Sequence, residues 1–222
     1  MEKPFTNISI EIYSDVICPW CYVGKRRLER ALGQLRDRAQ AQIDWRPFQL
    51  NPTMPLDGMD RTAYLKAKFG SLDAFRQMEE HLLAAGAAER IPFAFEKVTR
   101  TPNTFAAHRL VWYAAQQRKQ DQVVEALFHA YFIEGQNIGD SNIIAHAAVE
   151  VGLDRTETEE FLASNKGAVE VKTEEAVGRR LGISGVPYFV FNGRIAISGA
   201  QPPEIFVSAL QQAGKTVAES KE

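Results

Sequence analysis

The chain has 222 residues, of which 45% are hydrophobic and 24% charged, a composition typical of globular proteins. Its 26 basic and 28 acidic residues leave a formal net charge of −2, so no basic excess indicates nucleic acid or an anionic membrane as a partner. Residues 1–7 lack the apolar core of a signal peptide, and no run of 18 apolar residues occurs. We therefore expect a cytoplasmic protein without a membrane span.

The N-terminal part predicts a strand, a helix and a second strand. Apolar and polar residues alternate over Ile8–Ser14, as in a half-buried strand. Apolar residues recur at helical spacing over Tyr22–Arg38, which predicts an amphipathic helix. The second strand is predicted over Ile43–Leu50, where Pro47 indicates an edge position or an irregular end. Prolines and a glycine in segment 51–58 then mark the best candidate for a domain boundary.

The middle of the chain is helical in pattern. Pro102 is placed at the first turn of a helix, a position that proline prefers, after a connecting loop over 89–101. A cap at Asp140 or Ser141 and a capping-box pattern from Asp154 mark two further helix starts. The predicted helices are Asp60–Phe69, Leu72–Ala88, Pro102–Arg118, Gln120–Glu134, Ser141–Val151, Asp154–Ala163 and Lys166–Leu181.

The C-terminal part predicts a hairpin and a final helix. Pro187–Phe191 and Ile195–Ser198 read as strands joined by Asn192-Gly193, a strong short signal for a hairpin turn. The last helix is predicted from Pro202 or Pro203 to Leu210, and the polar tail after Gly214 is expected to fray.

The two cysteines of the chain stand in one motif, Cys18-Pro19-Trp20-Cys21, between the first strand and the first helix. This position places Cys18 at a helix N-terminus, where free N–H groups and the helix dipole favour a thiolate. We expect Lys25, Arg26 and Arg27 to add positive charge nearby. A thiolate with a second thiol in reach is suited to thiol–disulfide exchange.

Two other interpretations of the motif are weaker. A structural zinc site needs four ligands and a catalytic one usually three, but the chain offers no further cysteine and only four histidines without ligand spacing. We therefore expect no metal. A purely structural disulfide between Cys18 and Cys21 would close too short a loop to remove much chain entropy.

Two segments resemble the thioredoxin fold: Ile8–Cys21 and the run Gly185–Gly193, in which Val-Pro precedes an aromatic strand. The resemblance implies a cis peptide bond at Pro187 beside the reactive cysteine. It also implies that the backbone of Val186 pairs with an incoming peptide strand. The alternative is an ordinary trans proline that opens a strand.

A narrower resemblance covers nearly the whole chain through five blocks, at 14–24, 45–52, 103–109, 131–135 and 198–201. Together they resemble the FrnE-type branch of the DsbA superfamily, which is similar to kappa-class glutathione transferases and 2-hydroxychromene-2-carboxylate isomerases. The resemblance implies an α/β, thioredoxin-like fold with a large all-helical insertion. Residues 1–58 and 183–222 would form the thioredoxin-like domain, and residues 59–182 the inserted helical domain.

The chain departs from these families at two places. The buried acid that thioredoxin and DsbA carry six residues before the first cysteine is replaced by Ile12, so Asp15 or water would have to accept the proton of Cys21. The glutathione enzymes have serine at the position of Cys18 and an acid near the last strand, where this chain has residues 199–201, Gly-Ala-Gln. Both departures favour dithiol redox chemistry.

The resemblance and the motif suggest roles for a small set of residues. Cys18 is expected to be the nucleophile and Cys21 the resolving thiol, with a buried spectator as the alternative for Cys21. Pro19 and Trp20 would shape the turn, and Trp20 would either contact substrate or belong to the core.

Four more residues are placed at the cleft by resemblance. Phe48 and Asn51 would flank it, and Asn51 matches a glutathione-contacting position. His108 would stabilise the thiolate or carry protons, unless it is a hydrogen-bonded structural histidine. Asn103 would either point into the cleft or begin a helix. The aromatic residues Phe128, Tyr131 and Phe132 are expected in the core.

The leading functional prediction is a cytoplasmic thiol–disulfide oxidoreductase or disulfide isomerase that acts on protein or peptide thiols, without a bound cofactor and with glutathione as a candidate redox partner. A reducing cytosol favours reductase, isomerase or stress-linked roles over net disulfide insertion. Two alternatives stay open: a glutathione-dependent isomerase or transferase that acts on a small aromatic molecule, and a peptide-binding chaperone. A homodimer is compatible with all three.

Overall fold

A computed structural model describes residues 5–35 and 39–219 of the chain. In chain order its elements are β1 (Phe5–Ser14), α1 (Pro19–Gln34), β2 (Ala39–Pro47), β3 (Met59–Asp60), α2 (Arg61–Phe69), α3 (Leu72–Ala88), β4 (Arg100–Thr101), α4 (Phe105–Gln116), α5 (Gln120–Phe132), α6 (Ser141–Glu150), α7 (Arg155–Ala163), α8 (Ala168–Arg180), β5 (Tyr188–Phe191), β6 (Ile195–Ser198) and α9 (Pro203–Glu219). A short 3-10 helix, Phe95–Lys97, precedes β4.

The main sheet has the strand order β2-β1-β5-β6. β1 and β2 are parallel and are joined through α1, whereas β5 runs antiparallel to both β1 and β6. Parallel neighbours require such a crossover, and here the crossover begins with the two cysteines. The helices α2–α8 lie in the chain between β2 and β5. This arrangement confirms the expected thioredoxin-like fold with a helical insertion; the division into two domains stays a prediction.

Aromatic and branched residues of the central strands fill the core between the sheet and α9. Ile10 and Ile12 of β1 stand opposite Phe191 and Phe189 of β5, and all four are buried. The ring of Phe206 from α9 packs edge-on against Phe189, with 4.7 Å between the centroids. The core therefore continues from the sheet directly into the last helix.

Several element boundaries differ from the sequence prediction. β2 covers Ala39–Pro47 rather than Ile43–Leu50, because the chain turns after Pro47 and the Leu50 N–H donates to the Asp15 carboxylate. α1 already begins at Pro19, and the predicted end of that helix at 36–38 lies outside the described residues.

Two further predicted boundaries were wrong. Pro102 does not open α4, because Thr101 pairs with Met59 in the small β3–β4 sheet and the helix begins only at Phe105. The final helix does not end at Leu210 or fray after Gly214; its backbone stays helical to Glu219.

A buried cation joins α1, which carries both cysteines, to α5. The Lys25 side chain is only 4% exposed, and its ammonium lies 3.2 Å from the carboxylates of both Asp121 and Glu125 and also contacts Glu29. Burial alone would lower the pKa of Lys25, but the three carboxylates outweigh it and raise that pKa. Lys25 therefore stays charged and holds the two helices together.

We predict that Lys25→Met lowers the free energy of unfolding by about 2 kcal/mol, because three clustered carboxylates lose their central cation while keeping partial access to water. Urea unfolding at pH 7 measures the change. Lys66→Met is the matched control, since Lys66 is exposed on α2 and its side chain should contribute less than about 0.5 kcal/mol. Equal destabilisation by the two substitutions would contradict this role of Lys25.

Candidate active site

Cys18 is the N-cap residue of α1, and Pro19 occupies the first helical turn. The Cys18 N–H donates to the Asp15 carbonyl at 2.9 Å, which closes the turn between β1 and the helix. Proline fits there because a first-turn N–H would have no partner within the helix. The Cys18 thiol thus lies at the positive end of the helix dipole, as the sequence predicts.

Cys21 lies one helical turn deeper than Cys18. The two cysteines are 3.4 Å apart, both are free thiols, and the exposed fractions are 5% for Cys18 and 1% for Cys21. Burial raises the pKa of the Cys21 thiol well above its usual range, and the neighbouring Cys18 thiol adds to this effect. Cys21 is therefore held as a protonated, buried thiol in contact with the outer sulfur.

The basic residues that follow the motif do not supply free charge to the site. Lys25 and Arg26 are paired with carboxylates of α1 and α5, and the Arg27 side chain pairs with Glu89 at 3.1 Å. The expectation that these three cations add positive charge around Cys18 is therefore wrong. The local positive charge comes from the helix N-terminus and from two cations of α2.

Those cations line a cavity of about 220 Å³ beside Cys18. Its wall combines the cysteine turn with α2, α3 and the short helix before β4. Apolar side chains form most of the wall, and Arg61, Tyr64 and Lys68 are its polar members besides Cys18. The apolar members include Ile17, Leu50, Leu65, Phe69, Phe75, Met78, Leu82 and Phe95.

Four residues expected at the site line this cavity: Cys18, Pro19, Trp20 and Val186. The Val186 carbonyl lies 3.6 Å from the Cys18 sulfur, and the Val186–Pro187 peptide bond is cis. Pro187 itself packs behind the turn on Gly24, where an added Cβ would come within 3.1 Å of the proline ring. Glycine at position 24 thus lets α1 approach this segment closely, and a larger residue there would push against the proline ring.

Four residues expected at the cleft have other surroundings: Phe48, Asn103, Asn51 and His108. Phe48 is buried beside Tyr13 and Ile183 rather than in the cavity wall. The Asn103 amide donates to the Met54 carbonyl at 2.7 Å and accepts the Phe105 N–H, so it ties a loop to the start of α4.

The third residue, Asn51, reaches the cavity only indirectly. Its amide nitrogen donates to the Tyr64 hydroxyl at 3.0 Å, and Tyr64 lines the cavity. Asn51 therefore orients Tyr64 and does not itself line the cavity.

His108 faces Asp15 rather than the cavity. Its Nε2 lies 3.4 Å from Asp15 Oδ1, and both side chains are buried, with exposed fractions of 4% and 0%. The other oxygen of Asp15 accepts the Leu50 N–H at 2.7 Å. Asp15 is thus a buried carboxylate in the turn directly before the cysteine motif, backed by an imidazole.

Three residues of the cavity wall were not predicted from the sequence: Arg61, Tyr64 and Lys68. Their spacing of three and then four residues places them on one face of α2. That pattern was visible in the sequence, but only the fold shows that this face meets Cys18. In residues 5–35 and 39–219 no three histidine, cysteine, aspartate or glutamate side chains form a metal-binding group, and no helix there is long and apolar enough to cross a membrane.

The fold and the dithiol at a helix N-terminus define a thioredoxin-like protein with a redox-type cysteine pair. The family model of the DSBA-like thioredoxin domain matches residues 9–211, and the chain belongs to this family.

Individual relatives agree with the family. A probable DsbA oxidoreductase from Streptomyces coelicolor, SCO1869, shares 35% identity over 93% of this chain and 89% of its own, with a TM-score of 0.84. The uncharacterized protein YwbO of Bacillus subtilis is 30% identical over 94% of this chain and 98% of its own length. The cytosolic disulfide reductase DsbM of Pseudomonas aeruginosa, solved with GSH, shares the fold at 16% identity and a TM-score of 0.64, over 92% of this chain and 98% of its own.

Proposed function

We propose that this chain is a thiol–disulfide oxidoreductase in which Cys18 attacks a substrate disulfide and Cys21 resolves the resulting mixed disulfide. The observation that carries the proposal is the unequal placement of the two sulfurs. Cys18 lines the cavity, whereas Cys21 lies 3.4 Å away in the core, where only Cys18 can meet it. Family membership supports the same class of reaction.

The reaction has two exchanges. The Cys18 thiolate attacks one sulfur of the substrate, so a Cys18–substrate bond forms, the substrate S–S bond breaks and one substrate thiolate leaves. Cys21 then loses its proton and attacks Cys18, so a Cys18–Cys21 bond forms and the second substrate thiolate leaves. The substrate gains two electrons, the dithiol loses two, and the two thiolates take up protons according to their pKa values.

The proposed direction is reductive and the proposed compartment is the cytoplasm. A reducing cytosol keeps such a pair mostly as the dithiol, and glutathione is the abundant thiol that can restore it. The FrnE-type assignment, disulfide isomerase activity and a homodimer stay predictions, as do the glutathione-dependent isomerase and the peptide-binding chaperone.

We predict that Cys21→Ala accumulates a stable mixed disulfide between Cys18 and the substrate, because the only thiol positioned to resolve it is gone. Intact-mass measurement after mixing with an excess of a model disulfide detects the adduct. Cys18→Ala is the matched control and should form no adduct, since Cys21 is buried. Unchanged turnover by Cys21→Ala would contradict the resolving role.

This chain has Ile12 where thioredoxin and DsbA carry a buried acid. We further propose that Asp15 takes the role of that acid and accepts the proton of Cys21 during resolution. Asp15 is fully buried in the turn beside the motif, and its Oδ1 has no hydrogen-bond donor among the described residues. His108 lies 3.4 Å from that oxygen, so it can stabilise the charge on the carboxylate. A buried acceptor is required because Cys21 is shielded from solvent.

We predict that Asp15→Asn slows resolution at pH 7 by about tenfold or more, because the amide keeps the shape and the Leu50 contact but cannot accept a proton. Stopped-flow release of chromophoric thiol from an aromatic disulfide separates the first exchange from the second. Asp44→Asn is the control, since Asp44 stands opposite Glu11 within the β1–β2 ladder and outside the turn that precedes the motif. If Asp15→Asn slows both exchanges to the same extent, or slows neither of them, the proposal for Asp15 is contradicted.

A further inference from the structure

We infer that the cavity beside Cys18 selects low-molecular-weight disulfides that combine an apolar, preferably aromatic, body with a carboxylate. The inference rests on the proposed function and adds the class of substrate. Two features of the cavity wall carry it: a pair of cations without carboxylate partners, and an apolar lining between them and the thiol.

The cations are Arg61 and Lys68, both on α2. Arg61 donates to the Tyr131 hydroxyl at 3.1 Å, and Lys68 donates to the Tyr64 hydroxyl at 2.7 Å. No carboxylate of the described residues lies within 4 Å of either cation, in contrast to Lys25 and Arg26. Glu79 acts on the Arg61 charge from beyond 4 Å, but the hydroxyl partners leave donors free on both cations, so a ligand carboxylate can still pair with them directly.

Contacts with aromatic rings hold the two cations at the wall. The Arg61 guanidinium lies 5.8 Å from the centre of the Phe75 ring, and the Lys68 ammonium lies 5.3 Å from that of Tyr64. Lys68 is exposed and Arg61 half-buried, so each can exchange water for a carboxylate at little desolvation cost. An anion bound here is positioned by side chains that are already ordered.

The rest of the wall is apolar. Phe75, Met78, Leu82 and Phe95 contribute rings, a thioether and a branched side chain, which suit a flat hydrophobic group. The volume of about 220 Å³ lies below the roughly 300–1,000 Å³ of ordinary drug-sized pockets, so a compact group fits better than a long chain. Glutathione, a polar tripeptide, would bury little apolar surface against this lining.

The substrate arrangement follows from these two features. With its carboxylate at Arg61 and Lys68, an aromatic acid places its ring against the apolar wall and its sulfur towards Cys18. The exchange is then the first step above: the Cys18–substrate bond forms, the substrate S–S bond breaks, and the aromatic thiolate leaves. Because a cation binds a carboxylate more strongly than a neutral amide, the two cations discriminate between acids and their neutral analogues.

The experiment compares dithiodibenzoate with its uncharged diamide, which has the same ring system. Second-order rates of adduct formation at Cys18 are measured in the Cys21→Ala background, and the ratio of the two rates is compared among variants so that intrinsic reactivity cancels. We expect Lys68→Gln to lower the acid-to-amide ratio by about fivefold, and Arg61→Gln at least as much. Lys66→Gln, on the same helix but outside the wall, should leave the ratio unchanged.

A second arm tests the apolar part. Met78→Gln should slow both aromatic probes relative to dithiodipropionate, an aliphatic acid, because it places an amide in the apolar wall. An acid-to-amide ratio that Lys68→Gln leaves unchanged would overturn the inference, as would a faster reaction with an acidic peptide disulfide of matched leaving group.

Failure of the inference and failure of the proposed function give different results. If the unsubstituted protein reduces dithiodibenzoate and releases two thiols per molecule, the proposed function holds, and only the ratios decide on selectivity. If it forms no Cys18–Cys21 disulfide with any probe, the proposed function itself fails.

Discussion

The buried ion cluster around Lys25 is the constraint on which the site depends. It fixes α1 against α5, and α1 carries both cysteines at its first turn. An ammonium with 4% exposure stays charged only while its carboxylates remain in place, so the helix cannot shift without separating opposite charges. The turn that holds Cys18 next to Val186 is thereby kept in register with the sheet.

The inferred substrate selectivity depends on the helical insertion. In the proposed function, the cysteine turn provides the nucleophile and the resolving thiol, and the cis peptide segment provides a neighbouring carbonyl. The cavity exists only because α2 and α3 cover that turn and add an apolar wall with two cations. On this proposal, the cysteine turn carries the reactivity and α2 and α3 carry the substrate choice, so a change in α2 should alter the second without the first.

The sequence predicted the position of the cysteine pair better than its surroundings. Cys18 at the N-terminus of α1 and the cis bond before Pro187 follow from local patterns and family resemblance, and both are present. The partners of Lys25 were not predictable, because Asp121 stands 96 positions later and a paired lysine looks like a free one in sequence.

Long-range pairing explains the other errors. Pro102 was placed in a helix because no local signal shows that Thr101 pairs with Met59. The cavity wall was missed for the same reason: the face of α2 that carries Arg61 has an ordinary amphipathic pattern, and only tertiary packing brings it to Cys18. Local patterns predict elements, whereas a site composed of distant elements requires the fold.

The most direct test is equilibration of the purified protein in glutathione buffers of graded redox poise, followed by mass tagging of free thiols. The account predicts a single two-electron transition between the dithiol and a Cys18–Cys21 disulfide, because the second sulfur lies 3.4 Å from the first. A persistent glutathione adduct on Cys18, with Cys21 still reduced at every poise, would contradict it and favour a glutathione-dependent enzyme.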